Sequence, residues 1–279
     1  MEKITNIIKG VILGVMVLML PVNASGALEQ VQDELLDEPI FDGYISATQL
    51  RKGEVLRYSF RVQTKHLKMT LYSELEGLDK TMRVIWMSEN GQTLVEDFDG
   101  DKSLYNGELE ISEGMEEGKW RISKIQFLSG KVYGDMIPKE VVSVSQEAGS
   151  ADIQDDLSFS EFTVQGTKAD RKAPSIRKKS MGLTKKVVKK KGKTKFYVKA
   201  NDKSPMRYVV CGWRNSATKE VKYGEMTYNK KKTRYEYTVF GIDVGKKGKL
   251  RLIRVEACDR YGNKTVLKKN FPKIILSRK

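Results

Sequence analysis

The feature that most constrains this chain is a strand pattern that occurs twice. Gly248 to Asn263 reads GKLRLIRVEACDRYGN. Leu250, Leu252, Val255 and Ala257 are apolar, with Arg251, Arg254 and Glu256 interleaved. This is the period-two alternation of a half-buried strand, with one slip at Ile253 that fits a β-bulge. Asp259-Arg260-Tyr261-Gly262-Asn263 then supplies turn chemistry. Gly118 to Gly134, GKWRISKIQFLSGKVYG, repeats the design, with Trp120, Ile122, Ile125 and Phe127 in the apolar places. Two copies of one strand and turn imply two copies of one domain.

The flanking sequence follows the same repeat. Leu56, Tyr58, Phe60 and Val62 alternate with Arg57, Ser59 and Arg61. Phe196, Val198 and Ala200 match Tyr58, Phe60 and Val62, and Lys191-Gly192 matches Lys52-Gly53. Tyr44 to Thr48 is a candidate first strand, and Leu67, Met69 and Leu71 alternate again. Met82 to Met87 and Thr93 to Phe98 flank Asn90-Gly91, a hairpin signal. Strands of about five to nine residues with frequent turns and almost no helical period predict an all-β sandwich, with a barrel as the alternative.

The 279 residues suit a targeting segment and two domains. Residues 1–27 read as a secretion signal. Lys3 and Lys9 precede the apolar run Val11 to Leu20, Pro21 closes it, and Val22-Asn23-Ala24 and Ser25-Gly26-Ala27 offer small residues for cleavage. The run falls short of the roughly 20 residues of a spanning helix. Residues 28–41 are an acidic segment, 42–165 a first domain, 166–174 a linker and 175–279 a second domain.

The net charge of +15 conceals a split. Residues 1–167 hold 16 Lys and Arg against 28 Asp and Glu, a net of −12. Residues 168–279 hold 35 against 8, a net of +27. Such asymmetry points to charged partners, since self-repulsion of that size costs stability. The basic clusters include Lys185, Lys186, Lys189, Lys190, Lys191, Lys230, Lys231 and Lys232, with Lys193, Lys195 and Lys199 facing outward along one strand. Lys outnumbers Arg in this half by 26 to 9. Lys is a mobile point charge, so the balance favours diffuse attraction to a polyanion over base-specific reading of nucleic acid. An exported chain would meet an anionic cell-wall or surface polymer first. Pairing of acidic and basic domains between molecules, with itself or another protein, is the alternative. An enzyme with an unrecognised site is the third reading.

Cys211 and Cys258 are a candidate disulfide. Export favours it, but Cys211 shares a phase with Val209 and Trp213, whereas Cys258 is out of phase with Val255 and Ala257. His66 is the sole histidine, so a His-based triad or zinc site has no basis. Asp97, Asp99 and Asp101 in DFDGDKS could suit calcium, but strand alternation alone puts them on one solvent face. Glu108/Glu110 and Glu116/Glu117 read as a solvated edge. No catalytic residue, cofactor, metal or small-molecule substrate is expected.

DLSFSEFTVQGTKADRKAPSI resembles the junction between tandem bacterial immunoglobulin-like domains of secreted Gram-positive surface proteins. Phe162 and Val164 end a strand, and Asp170, Ala173 and Pro174 open the next domain. The Asp259 to Asn263 turn is similar to the Asp-x-x-Gly-Asn turn closing such domains, whereas the first copy has Ser129-Gly130-Lys131. The resemblance covers roughly residues 42–270. It implies secreted modules that space, display or attach other things, usually without catalysis.

Overall fold

The computed structural model describes residues 41–62, 80–99, 104–129, 139–145, 153–154, 156–245, 248–269 and 272–278. The expected secretion signal, residues 28–40, His66, the alternation at Leu67 to Leu71 and Asp101 lie outside them. Among the described residues the chain is β throughout, apart from one four-residue helix and two short 3-10 turns. None of the described helices is long and apolar enough to cross a membrane. The chain divides into two compact units, the first ending at Lys168 and the second running on from Ala169.

In the first unit, β1 (Phe41–Ile45), β3 (Val55–Val62) and β6 (Leu104–Glu110) form one sheet in the order β1-β3-β6. A second sheet has the order β2-β10-β7-β4-β5, built from β2 (Gln49–Arg51), β4 (Lys80–Ser88), β5 (Thr93–Asp99), β7 (Gly118–Ser129) and β10 (Phe162–Gln165). β8 (Lys139–Ser145) also pairs with β7, and β9 (Ile153–Gln154) with β8. The candidate first strand, Tyr44 to Thr48, overlaps only the end of β1, which breaks after Ile45 before β2 joins the other sheet. Ser46 explains the break: its N–H donates to Arg57 O and its hydroxyl accepts from Arg57 N, which ends the pairing with β3. Trp86 lies edge-on to Tyr58 at 5.0 Å and to Phe162 at 5.7 Å. Each such ring pair adds about 0.5–1.5 kcal/mol beyond burial.

The second unit repeats the arrangement. β11 (Ser175–Leu183), β13 (Lys193–Asn201), β17 (Arg234–Phe240) and β16 (Thr227–Asn229) make one sheet in that order. β12 (Val187–Val188), β20 (Ile275–Arg278), β18 (Lys249–Asp259), β14 (Met206–Asn215) and β15 (Val221–Glu225) make the other, with β19 (Lys264–Leu267) beside β18. The helix α1 (Gly241–Val244) follows β17. In both units a short early strand runs parallel to the last one, β2 with β10 and β12 with β20. The core lies between the two sheets: Phe196, Val198 and Val239 from one meet Val209, Trp213, Leu250, Leu252, Val255 and Ala257 from the other. The all-β sandwich expected from the alternation is what the chain forms.

The slip at Ile253 is a real shift of register. Gly212 faces Arg254 and Trp213 faces Leu252, so Ile253 is the extra residue. The first unit shifts at the same place, with Ile85 facing Lys124 and Trp86 facing Ile122. A bulge lets Leu252 and Val255, three positions apart, both reach the core.

Both cysteines are free and buried. β14 and β18 are neighbours, but Cys211 faces Val255 and belongs to the main core, whereas Cys258 faces Tyr208 in a small cluster with Val210. They point to opposite faces of one sheet, so no bridge joins them. Burial pushes the Cys211 thiol up to about 12, which leaves it inert.

Candidate polyanion-binding surface

All the lysines singled out from the sequence are exposed. Lys185 and Lys186 lie between β11 and β12, and Lys189, Lys190 and Lys191 turn from β12 into β13. Lys193, Lys195 and Lys199 alternate with the buried Thr194, Phe196, Val198 and Ala200, so they stand on the outer face of their sheet. Lys230, Lys231 and Lys232 form the 3-10 turn before β17.

The structure draws some of these together around an acid. Glu236 is buried, with Lys195 Nζ at 2.7 Å, Arg234 Nη2 at 2.7 Å and Lys232 Nζ at 4.0 Å. The Arg234 guanidinium also sits 3.9 Å over the Tyr197 ring. The hydrogen bond from Lys195, with help from Arg234 and Asn229, lowers the Glu236 carboxyl to about 2 against its burial. One carboxylate thus serves three cations, and the corner keeps a net positive charge. Lys195 and Lys232 are engaged there, while the other lysines of the set have no carboxylate partner among the described residues.

A consequence follows for acid stability. A depressed carboxylate contributes stability above its unfolded value that is lost as pH falls through the folded one. Glu236→Gln is expected to be less stable than the parent at neutral pH, with the gap closing between about pH 5 and pH 2. Thermal melts of both proteins over that range check it, and a constant gap would refute the assignment.

Sequence reasoning passed over a second basic group on the other sheet. Arg214, Arg251 and Arg254 from β14 and β18 line a cleft of about 640 Å³ with Lys268, Lys269 and Lys273 from the connection between β19 and β20. These residues are distant in sequence, so only the strand register reveals them as neighbours. Arg254 is held by Glu256, which is fully buried and also accepts from the Tyr208 hydroxyl at 2.9 Å.

The acidic candidates take structural places. Asp97 makes a bidentate pair with the buried Arg83, Nε at 2.6 Å and Nη2 at 2.8 Å. Glu116 corrects the solvated-edge reading: it is buried and accepts from the Ser88 hydroxyl at 2.5 Å. Glu117 Oε1 accepts from Gly166 N at 2.7 Å and Thr167 N at 3.2 Å. Glu108 meets Arg57 Nε at 3.0 Å in the open.

Asp170, Asp202 and Asp259 place one carboxylate oxygen each within 4.8 Å of the others. By donor type this set suits a hard divalent cation. Its oxygens, however, already accept hydrogen bonds. Asp259 takes Tyr261 N, Asn263 N and Asn263 Nδ2 at 2.8–2.9 Å. Asp170 takes Lys172 N and the Ser204 hydroxyl, and Asp202 takes Ser204 N. Burial pushes the Asp259 carboxyl upward, its hydrogen bonds oppose that, and Asp202 adds to the rise. Asn263 Nδ2 donates to Asp170 O at 2.9 Å and Thr265 Oγ1 to Pro174 O at 2.5 Å. The opening Asp-x-x-Ala-Pro and the Asp-x-x-Gly-Asn turn are thus tied to each other, which accounts for their occurring together.

No family model matches the chain, and no curated protein does. Among solved structures it is similar to the Escherichia coli adhesin FdeC, at 13% identity over 86% of this chain and 64% of that one, with a TM-score of 0.21. It is also similar to a DUF4785 family protein from Legionella pneumophila, at 11% identity over 82% and 56%, with a TM-score of 0.24. The chain spans less than two thirds of either length. Likenesses this distant carry nothing about function.

Proposed function

We propose that this chain is a secreted, non-enzymatic surface or interaction protein of two tandem immunoglobulin-like domains, whose basic second unit associates with an anionic envelope polymer. The observation that carries this reading is the set of exposed lysines that lack a carboxylate partner among the described residues. Uncompensated surface charge repels itself in the free protein. A polyanion relieves that repulsion and releases its own counterions on contact.

The test is binding to purified envelope polymer at two salt concentrations. A patch engaging about five phosphates should lose about two orders of magnitude in affinity when salt rises about fourfold. Replacing Lys185, Lys186, Lys189, Lys190 and Lys191 together by Gln should flatten that dependence. Exposed substitutions of this kind change stability by roughly 0.5 kcal/mol or less each. Binding with an unchanged salt slope would make these lysines a solubilising face and end the reading for them. Mass that grows with protein concentration at low salt, without polymer, would favour pairing between molecules instead.

A further inference from the structure

We propose that the arginine cleft on the outer face of the β14–β18 sheet is the seat for successive phosphate groups of a phosphodiester polymer. The inference rests on the reading above and names the place where the polymer is gripped.

The first support is uncompensated charge. Arg214 stands directly opposite Arg251 across the two strands. Like charges in that position destabilise a sheet. Neither has a carboxylate partner among the described residues, and the same holds for Lys268, Lys269 and Lys273. Among the described residues no acidic side chain lines the cleft. The contrast with the Lys195 face is direct, because there Glu236 answers three cations. On the β14–β18 sheet the one buried acid, Glu256, engages Arg254 and leaves Arg214 and Arg251 unanswered among the described residues.

The second support is an internal control. The bulge itself occurs in both units, so it belongs to the fold. In the first unit the pair equivalent to Arg214 and Arg251 is Met87 opposite Arg121. The facing arginines are therefore a property of the second unit alone, and the sandwich does not require them.

The third is shape. Gly212 lies across from Tyr223, and a Cβ there would meet the ring at 2.7 Å. The missing side chain lets Tyr223 lie down as one wall of the cleft. The volume of about 640 Å³ matches ordinary small-molecule sites, but those are mostly apolar, whereas this one is walled by cations. Guanidinium groups meet phosphate oxygens with two parallel N–H donors, and the three lysines add point charges on the loop side. Several cations around one open cleft of this volume suit several phosphates better than one small ion.

The test uses the full chain and poly(glycerol phosphate) as the probe, with glycerol phosphate and inorganic phosphate as separate arms. Arg214→Gln/Arg251→Gln should weaken polymer binding at least about tenfold at fixed salt and lower the log-log salt slope by about 1.4–1.8. Its melting temperature without polymer should equal or exceed the parent's, because a like-charge pair is gone. Arg214→Lys/Arg251→Lys, which keeps the charge and loses the forked donors, should fall between the two. The variant with Lys185, Lys186, Lys189, Lys190 and Lys191 all replaced by Gln should lower the slope by its own increment, and adding Arg214→Gln/Arg251→Gln to it should lower the slope further.

If the parent binds and the double Gln variant binds equally well, the cleft is overturned while the polyanion reading stands. If the parent does not bind the polymer, both fall. If inorganic phosphate saturates the parent as tightly as the polymer does, the site is for free phosphate and the polymer assignment is overturned.

Discussion

Arg254→Leu is expected to destabilise the second unit by about 3–5 kcal/mol, the cost of leaving one partner of a buried ion pair uncompensated. Glu256 has no solvent exposure, and Arg254 meets its Oε2 through both Nε and Nη2. The Tyr208 hydroxyl supplies a neutral bond on the other oxygen, which cannot replace a full charge. The double variant Arg254→Leu/Glu256→Leu should recover the greater part of the loss, since removing both partners removes the buried charge with them. Urea unfolding of the two variants beside the parent measures this. A loss under about 1 kcal/mol in the single variant would mean that Glu256 does not depend on Arg254. The pair also bears on the cleft. Arg254 is engaged inward, so the guanidinium groups free to meet a ligand are those of Arg214 and Arg251.

The parts of this fold that were legible beforehand are those written into local alternation. Phe196, Val198 and Ala200 alternate with lysines, and all three are buried with the lysines outward. The break at Ile253 could be placed because Leu252 and Val255 are both apolar and a two-residue period cannot bury both. The mismatch of Cys258 with Val255 and Ala257 foretold its opposite face for the same reason. What stayed hidden depends on partners far along the chain. Ser46 ends β1 by binding Arg57, and no local pattern announces that. Nothing local marks Glu236 for burial, yet it engages Lys195 and Lys232 from two other elements. Glu116 was read together with Glu117 as part of a solvated edge; the Ser88 hydroxyl that donates to it comes from β4. The arginine cleft was invisible for the same cause. Counting Lys against Arg weighed the whole half, whereas register concentrates Arg214, Arg251 and Arg254 at one point.

Asp259→Ala should cost about 3 kcal/mol and lower the melting temperature of the second unit by about 10 °C or more. The Asp259 side chain is buried and accepts from two backbone N–H groups and one amide, all of which lose that acceptor in the variant, while Asn263 Nδ2 keeps its bond to Asp170 O. Each donor left unsatisfied in a buried place costs about 1–3 kcal/mol, and relief of the repulsion with Asp202 offsets part of the sum. The turn it organises also carries Asn263, which reaches back to Asp170 O, so loosening should spread to the start of the unit. Asp259→Asn separates the two contributions. It keeps an acceptor for both backbone groups, loses the acceptor for Asn263 Nδ2, and cannot ionise. Because burial holds the Asp259 carboxyl above its ordinary value, the parent loses stability as pH rises from about 4 through the folded value. The Asn variant has no such loss, so its deficit against the parent should shrink toward neutral pH. Parallel melts at about pH 3 and pH 7 read this directly. A deficit that grows with pH would mean that the ionised carboxylate is the favoured form, and that the Asp170–Asp202–Asp259 knot is held by charge instead of by hydrogen bonds.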